Sequence, residues 1–286
     1  MSNVTSVVQP GVIGAGTGVR PPRVITVTSG KGGVGKTNVV ANLAIALSRA
    51  GKRVLVLDAD LGLGNIDVLL GLAPKCTLEH VLSGARSLSE IMLEGPSGIR
   101  ILPASSGLPQ LTALTEAHHV ILQSELEQIA DMFDVLLIDT GAGIASNVTF
   151  FAAAAQAIVV VVSPEPTSLT DAYALMKVLL RQYRERRFHV LVNLAKSPNE
   201  AARVFSKLQV AVGRFLQISI EYLGAIPLDD YLPLAVTQQR AVLDRYPQAP
   251  SSRAFVSLTD TVDRLAVPEL PKGTVQFLWQ HLLRTV

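Results

Sequence analysis

Short, unbroken apolar runs recur along this chain, separated by longer stretches of mixed pattern. Val24–Ser29, Arg53–Asp60, Phe133–Asp139, Ala157–Ser163 and His189–Asn193 are rich in Val, Ile and Leu and carry almost no polar alternation. Runs of this length and composition read as strands buried on both faces, which is the signature of a parallel sheet. Ile99–Pro103 reads as a shorter strand, and Tyr222–Asp229 as the last strand with its exit loop. Between them, Asn38–Leu47, Thr77–Leu82, Ala117–Asp131, Ala172–Leu180, Gln238–Val242 and Ser252–Leu265 carry helical spacing, and Ile66 opens a short helix. Ser168 and Asp171 have the spacing of a capping box for the fourth of these helices. Phe150–Val162 is too short to span a bilayer and is broken by Gln156, so it reads as a helix end followed by a central strand. Strands alternating with helices predict one α/β domain, with a mostly parallel central sheet and helices on both faces.

Gly30–Thr37 fits G-x-x-x-x-G-K-[ST], the phosphate-binding loop, and lies between a predicted strand and a predicted helix. That makes the fold a single P-loop NTPase domain. Glycines permit positive φ and leave room for a phosphate, while successive N–H groups at a helix start form an anion nest. Gly32, Gly33, Val34, Gly35, Lys36, Thr37 and Asn38 are the expected nucleotide-binding residues. Lys36 supplies charge to the β and γ phosphates, and the Thr37 hydroxyl suits Mg2+. ATP and Mg2+ are the expected ligands.

Acids at the ends of parallel strands sit where such sheets bind ligands. Asp60 is placed to face the γ-phosphate, its attacking water or the metal, and Asp58 points the same way from deeper down. Asp139 closes a hydrophobic strand and, with the loop present, has the Walker B pattern of a residue bonded to a metal-bound water. Asn193, at another strand end, is placed to read an adenine edge, and Asp229 faces the same side.

The chain has 286 residues, a net charge of +2 and a single cysteine, Cys76. It therefore cannot form an intrachain disulfide, and its charge is too small for a dedicated nucleic-acid binder. Met1–Val19 has neither the basic start nor the continuous apolar core of a signal peptide. Residues 1–22 read as a flexible arm, 23–272 as the ATPase domain and 273–286 as an amphipathic helix. In that last segment Val275, Leu278, Trp279, Leu282, Leu283 and Val286 share one face. The face either packs on the domain or anchors the protein reversibly at a membrane surface. Arg181, Arg184, Arg186 and Arg187 cluster after one helix, as a solvated helix end or as a patch for DNA or acidic lipid.

The loop K-G-G-V-G-K-T at Lys31–Thr37 resembles the deviant phosphate loop of the MinD/ParA (SIMIBI) ATPases. The run from Asp58 to Asp67, D-A-D-L-G-L-G-N-I-D, resembles their first switch. The resemblance implies that Lys31 crosses a dimer interface to the partner's nucleotide, that Lys36 and Asp60 are catalytic, and that Asp60 positions the water and contacts the magnesium shell. L-P-A-S-S-G at Leu102–Gly107 and S-P-E-P-T-S-L-T-D-A-Y-A-L-M-K at Ser163–Lys177 are similar to the FlhG/FleN family of flagellar number and placement regulators. That narrower resemblance implies an ATP-dependent homodimer at the inner face of the cell membrane. It also implies flagellar partners: a FlhF-type GTPase, a transcription regulator or a switch-complex component. The arm lacks the D-Q-A-x-x-L-R segment common in that family and contains no Asp or Glu. A MinD-type division-site selector and a ParA-type DNA-partitioning ATPase are the alternatives, and a metal-cluster-loading ATPase would want paired cysteines.

Overall fold

A computed structural model describes residues 22–104 and 114–265. The expected arm up to residue 21, part of the Leu102–Gly107 motif and the expected helix at 273–286 lie outside the described residues. The strands are β1 (Arg23–Ser29), β2 (Val54–Ala59), β3 (Leu93–Glu94), β4 (Arg100–Leu102), β5 (Val135–Ala142), β6 (Ala157–Val162), β7 (Arg187–Ala195) and β8 (Ser219–Pro227). They form one sheet in the order β3-β4-β2-β5-β1-β6-β7-β8. Among the described residues, only the β3–β4 pair is antiparallel. The expected α/β class and its mostly parallel sheet are therefore what the chain adopts.

Helices α1 (Lys36–Arg49), α2 (Ile66–Leu69), α3 (Leu78–Leu82) and α4 (Leu88–Ile91) precede α5 (Glu116–Gln128) and α6 (Ser146–Ala154). They are followed by α7 (Pro166–Tyr183), α8 (Pro198–Leu216), α9 (Tyr231–Thr237), α10 (Val242–Arg245) and α11 (Pro250–Asp263). The pleat sorts alternate residues of one strand to opposite cores. Val159 and Val161 of β6 join the core under α1 and α11. Ile158, Val160 and Val162 join the core under α7 and α8.

Three predicted helices have different limits. α7 starts at Pro166, five residues before Asp171. A proline at the first helical position needs no hydrogen bond from its nitrogen, so it outcompetes the Ser168–Asp171 signature. Ser168 instead lies in the first turn, where its Oγ accepts from Ser163 N at 3.0 Å. Gln238–Ala241 is not helical: α9 ends before it, α10 begins after it, and Gln239 has φ 53°. Ala130–Met132 tightens into a 3₁₀ turn instead of prolonging α5.

The α7 backbone lies directly on the glycine loop. A Cβ on Gly30 would sit 2.1 Å from the Asp171 carbonyl carbon and oxygen. Gly30→Ala is therefore expected to cost about 3 kcal/mol or more, since two backbones must part. Gly213 in α8 has open space around it, so Gly213→Ala should raise stability by roughly 0.5–1 kcal/mol. Urea unfolding of both variants checks the contrast. Equal stabilities would mean that the loop and α7 are not locked together.

Candidate nucleotide site

The loop leaves β1 and runs straight into α1. Gly33 and Gly35 have φ of 78° and 86°, a region that L side chains avoid. Ser29 Oγ donates to Lys31 O at 2.7 Å, which holds the first bend. Asn193, at the end of β7, braces the loop from below: its Nδ2 donates to Val34 O at 2.8 Å. A Cβ on Gly35 would meet that same nitrogen at 2.5 Å, so the brace requires glycine there. Val34 is buried behind the loop.

The loop opens into a cavity of about 670 Å³ at the C-terminal edge of the sheet. Gly32, Gly33, Gly35, Lys36, Thr37 and Asn38 line one side. Asp60, Asn65, Gly141 and Asn147 are on the other. Strand order brings the acids together, because β2 lies beside β5 and Asp58 is level with Asp139. Asp139 is buried, and burial lifts its carboxyl to about 7 despite the Thr37 hydroxyl bonded to it and the nearby Lys36 ammonium; the Asp60 charge adds to the rise. Its Oδ1 is buried and has no hydrogen-bond partner among the described residues. Burial pulls the Lys36 ammonium down, against the charges of Asp139 and Asp60.

Asp58 has a separate task. Its Oδ1 accepts from Asp60 N at 3.1 Å, and its Oδ2 accepts from Asn65 N at 3.0 Å and Ile66 N at 3.3 Å. It pins the loop that carries Asp60. Burial raises its carboxyl well above the usual range, and the Asp139 charge raises it further. Asp60 itself is only partly buried, and its Oδ1 accepts from Leu63 N at 3.3 Å.

Lys31 does not line the cavity. Its ammonium pairs with the Glu165 carboxylate and lies 2.8 Å from Thr167 Oγ1, at the start of α7. Asp229 follows the end of β8, at the same edge of the sheet as the cavity. Its Oδ1 accepts from Tyr231 N at 2.8 Å, and its Oδ2 accepts from Ser251 N at 2.9 Å and Ser251 Oγ at 2.7 Å. Burial pushes this carboxyl up, but the bonds from Ser251 and Tyr231 outweigh it and leave the group below its ordinary value. Both oxygens join the starts of α9 and α11. Asn193 keeps one atom unspent: its Oδ1 is buried and has no partner among the described residues.

Sequence reasoning missed Glu165, Thr167 and Asn147. Asn147 lines the cavity while its Oδ1 accepts from Leu114 N at 2.9 Å. No local pattern marks it. For Glu165, the S-P-E-P motif was visible, but its pairing with Lys31 spans 134 residues.

A glycine loop with a buried lysine, set against acids on adjacent strand ends, defines a P-loop nucleoside triphosphatase. Residues 22–190 match the AAA domain family. The chain is 47% identical over 266 residues to the antiactivator FleN of Pseudomonas aeruginosa, covering 93% of this chain and 95% of that one. It is 34% identical to the flagellum site-determining protein YlxH of Helicobacter pylori, over 88% of this chain and 84% of that one. The septum site-determining protein MinD of Pyrococcus horikoshii, solved complexed with Mg-ADP, superposes with a TM-score of 0.66 at 25% identity, covering 85% and 97% of the two chains. The chain belongs to the MinD/ParA family of ATPases and, within it, to the FleN/FlhG flagellar regulators.

Proposed function

We propose that this flagellar regulator is a slow, Mg2+-dependent ATPase whose nucleotide state sets its dimerisation and its residence at the membrane. The loop N–H groups and Lys36 bind the phosphates. Asn193 Oδ1, buried and without a described partner, is the acceptor assigned to an adenine amino group. The residues fit a divalent cation: Asp139 Oδ1 is buried without a described partner, the Thr37 hydroxyl bonds the same carboxyl, and the Asp60 carboxylate lines the same cavity. Thr37 would hold the ion, with Asp139 and Asp60 reached through its waters, and the ion would neutralise phosphate charge. Asp60 orients the attacking water. Its position at the cavity rim, on a loop pinned by Asp58, keeps that geometry fixed before ATP arrives.

The observation that carries the switch is the direction of Lys31. A loop lysine turned away from its own cavity has a neighbour's nucleotide as its natural target. Contact made only in the dimer gives ATP the differential affinity that a switch requires. The apolar face of Thr274–Val286 supplies reversible attachment to the inner face of the cell membrane, strengthened when two copies act together. Flagellar proteins are the proposed partners.

Lys31→Ala is expected to leave ATP affinity within about threefold while abolishing the ATP-dependent dimer, since an exposed contact made in the dimer alone adds nothing to monomer binding. Light scattering coupled to size exclusion, alongside titration with a fluorescent nucleotide, checks this. Equal loss of affinity and dimer would place Lys31 on its own nucleotide and refute the switch.

A further inference from the structure

The arginines that follow α7 remain unused by the nucleotide site. α7 and α8 pack side by side and finish at the N-terminal edge of the sheet, opposite the cavity. Arg181 lies in the last turn of α7, Arg184 caps it, and Arg186 and Arg187 lead into β7. Arg187 is level with Ser219, three residues beyond the end of α8, so Arg214 and Phe215 share that edge. All five arginines are exposed, and none has an ion pair or side-chain hydrogen bond among the described residues. Two acids stand nearby. Glu185 is buried, and Glu221 pairs with His189 at 3.2 Å.

The patch continues along α8. Ala201, Val204, Leu208 and Val212 bury one stripe of this helix. Arg203, Lys207, Val210 and Arg214 form the outer stripe at i, i+4, i+7 and i+11. Val210 is 69% exposed and Phe215 65% exposed, and the Arg214 guanidinium lies 5.3 Å from the Phe215 ring centroid. Large apolar side chains standing out among cations match the boundary between anionic headgroups and acyl chains. A phosphodiester backbone would use the cations and leave Phe215 and Val210 without a role. The described residues also end at this edge. Arg23 Nη1, at the start of β1, donates to Val262 O at 3.0 Å, so α11 ends beside the first residues of the strands.

We propose that the ends of α7 and α8 form a second lipid-contacting surface, selective for anionic headgroups, which orients the folded domain on the membrane. The inference rests on the membrane reading above only for where the protein works.

Flotation of the full chain with vesicles of phosphatidylcholine, alone or mixed with phosphatidylglycerol, tests both ideas. The variant Arg186→Glu/Arg187→Glu/Arg214→Glu leaves the left-handed backbone of Arg184 untouched. It should lose roughly a hundredfold of its partitioning onto mixed vesicles, and none onto neutral ones, since each of the three basic residues near such a surface contributes about fivefold. Added salt should remove the same increment from the parent protein. ATP binding and melting temperature should be unchanged. A second variant, Trp279→Glu/Leu282→Glu, should lose partitioning onto both vesicle types while keeping the preference for the anionic one. If that variant binds both as the parent does, the tail anchor falls and the patch stands. If the triple variant floats with mixed vesicles as the parent does, the patch inference falls. It falls equally if the triple variant loses only retention of double-stranded DNA, which would make nucleic acid the occupant.

Discussion

Asp60→Ala is expected to lower ATP turnover by two to three orders of magnitude while leaving ATP affinity within a few-fold. The expected loss follows from position. Asp60 lines the cavity opposite Lys36, and its only described side-chain bond is a 3.3 Å contact from Leu63 N. A Cβ on Gly141 would lie 3.4 Å from its Oδ1, so the carboxylate also faces the last residues of β5. Positioning and electrostatic preorganisation carry most phosphoryl-transfer catalysis, and losing one such group costs about 10²–10³ in rate. Affinity should survive because the loop N–H groups and Lys36 do the binding. The variant should therefore accumulate as an ATP-bound dimer. Single-turnover hydrolysis, nucleotide titration and light scattering would each be measured. A parallel fall in affinity and turnover would make Asp60 a binding group, and a monomer in ATP would break the link between nucleotide and dimer.

What was legible in the sequence follows how local each determinant is. Gly30–Thr37 is read correctly because loop, lysine and helix start are made by eight adjacent residues. Asp58, Asp60 and Asp139 are legible as acids ending hydrophobic runs. Their convergence is not, because it needs β2 beside β5, an adjacency between segments about eighty residues apart. Asn193 is legible at a strand end, but its grip on Val34 spans 159 residues and depends on β7 coming second after β1 across the sheet. The partners of Asp229 are hidden in the sequence for the same reason. Its strand-end position suits a ligand, yet Ser251, arriving 22 residues later, takes one of its oxygens. Local signals also compete: Pro166 and the Ser168–Asp171 pair both mark helix starts, and the proline decided. The arginine cluster was visible as charge. Only the packing of α8 beside α7 turns it into a surface with exposed apolar residues.

Asp139→Asn should have opposite effects on stability and activity, and pH separates them. In the ligand-free protein the Asp139 carboxyl is raised from 3.8 to about 7, chiefly by burial. A raised carboxyl means that the folded state holds its proton more tightly than the unfolded chain. Its stabilising contribution is full below the unfolded value and is lost as pH rises through the folded one. Asp58, also raised by burial and by the Asp139 charge, acts in the same direction. Ligand-free protein should thus be less stable at about pH 8 than at about pH 5.5. Asp139→Asn should flatten that slope and stabilise the protein at about pH 8 by on the order of 2–4 kcal/mol. Turnover should nevertheless fall by roughly 100-fold or more, because the amide cannot supply the negative charge that the site holds ready for the metal-bound waters. Urea unfolding at the two pH values, without nucleotide, reads the first effect, and phosphate release reads the second. An unchanged pH slope in the variant would mean that Asp139 is not the group whose burial sets that slope. The expected pair of results would show the opposite: that the site gives up stability, through a buried carboxylate whose Oδ1 has no described partner, in order to be ready for its ligand.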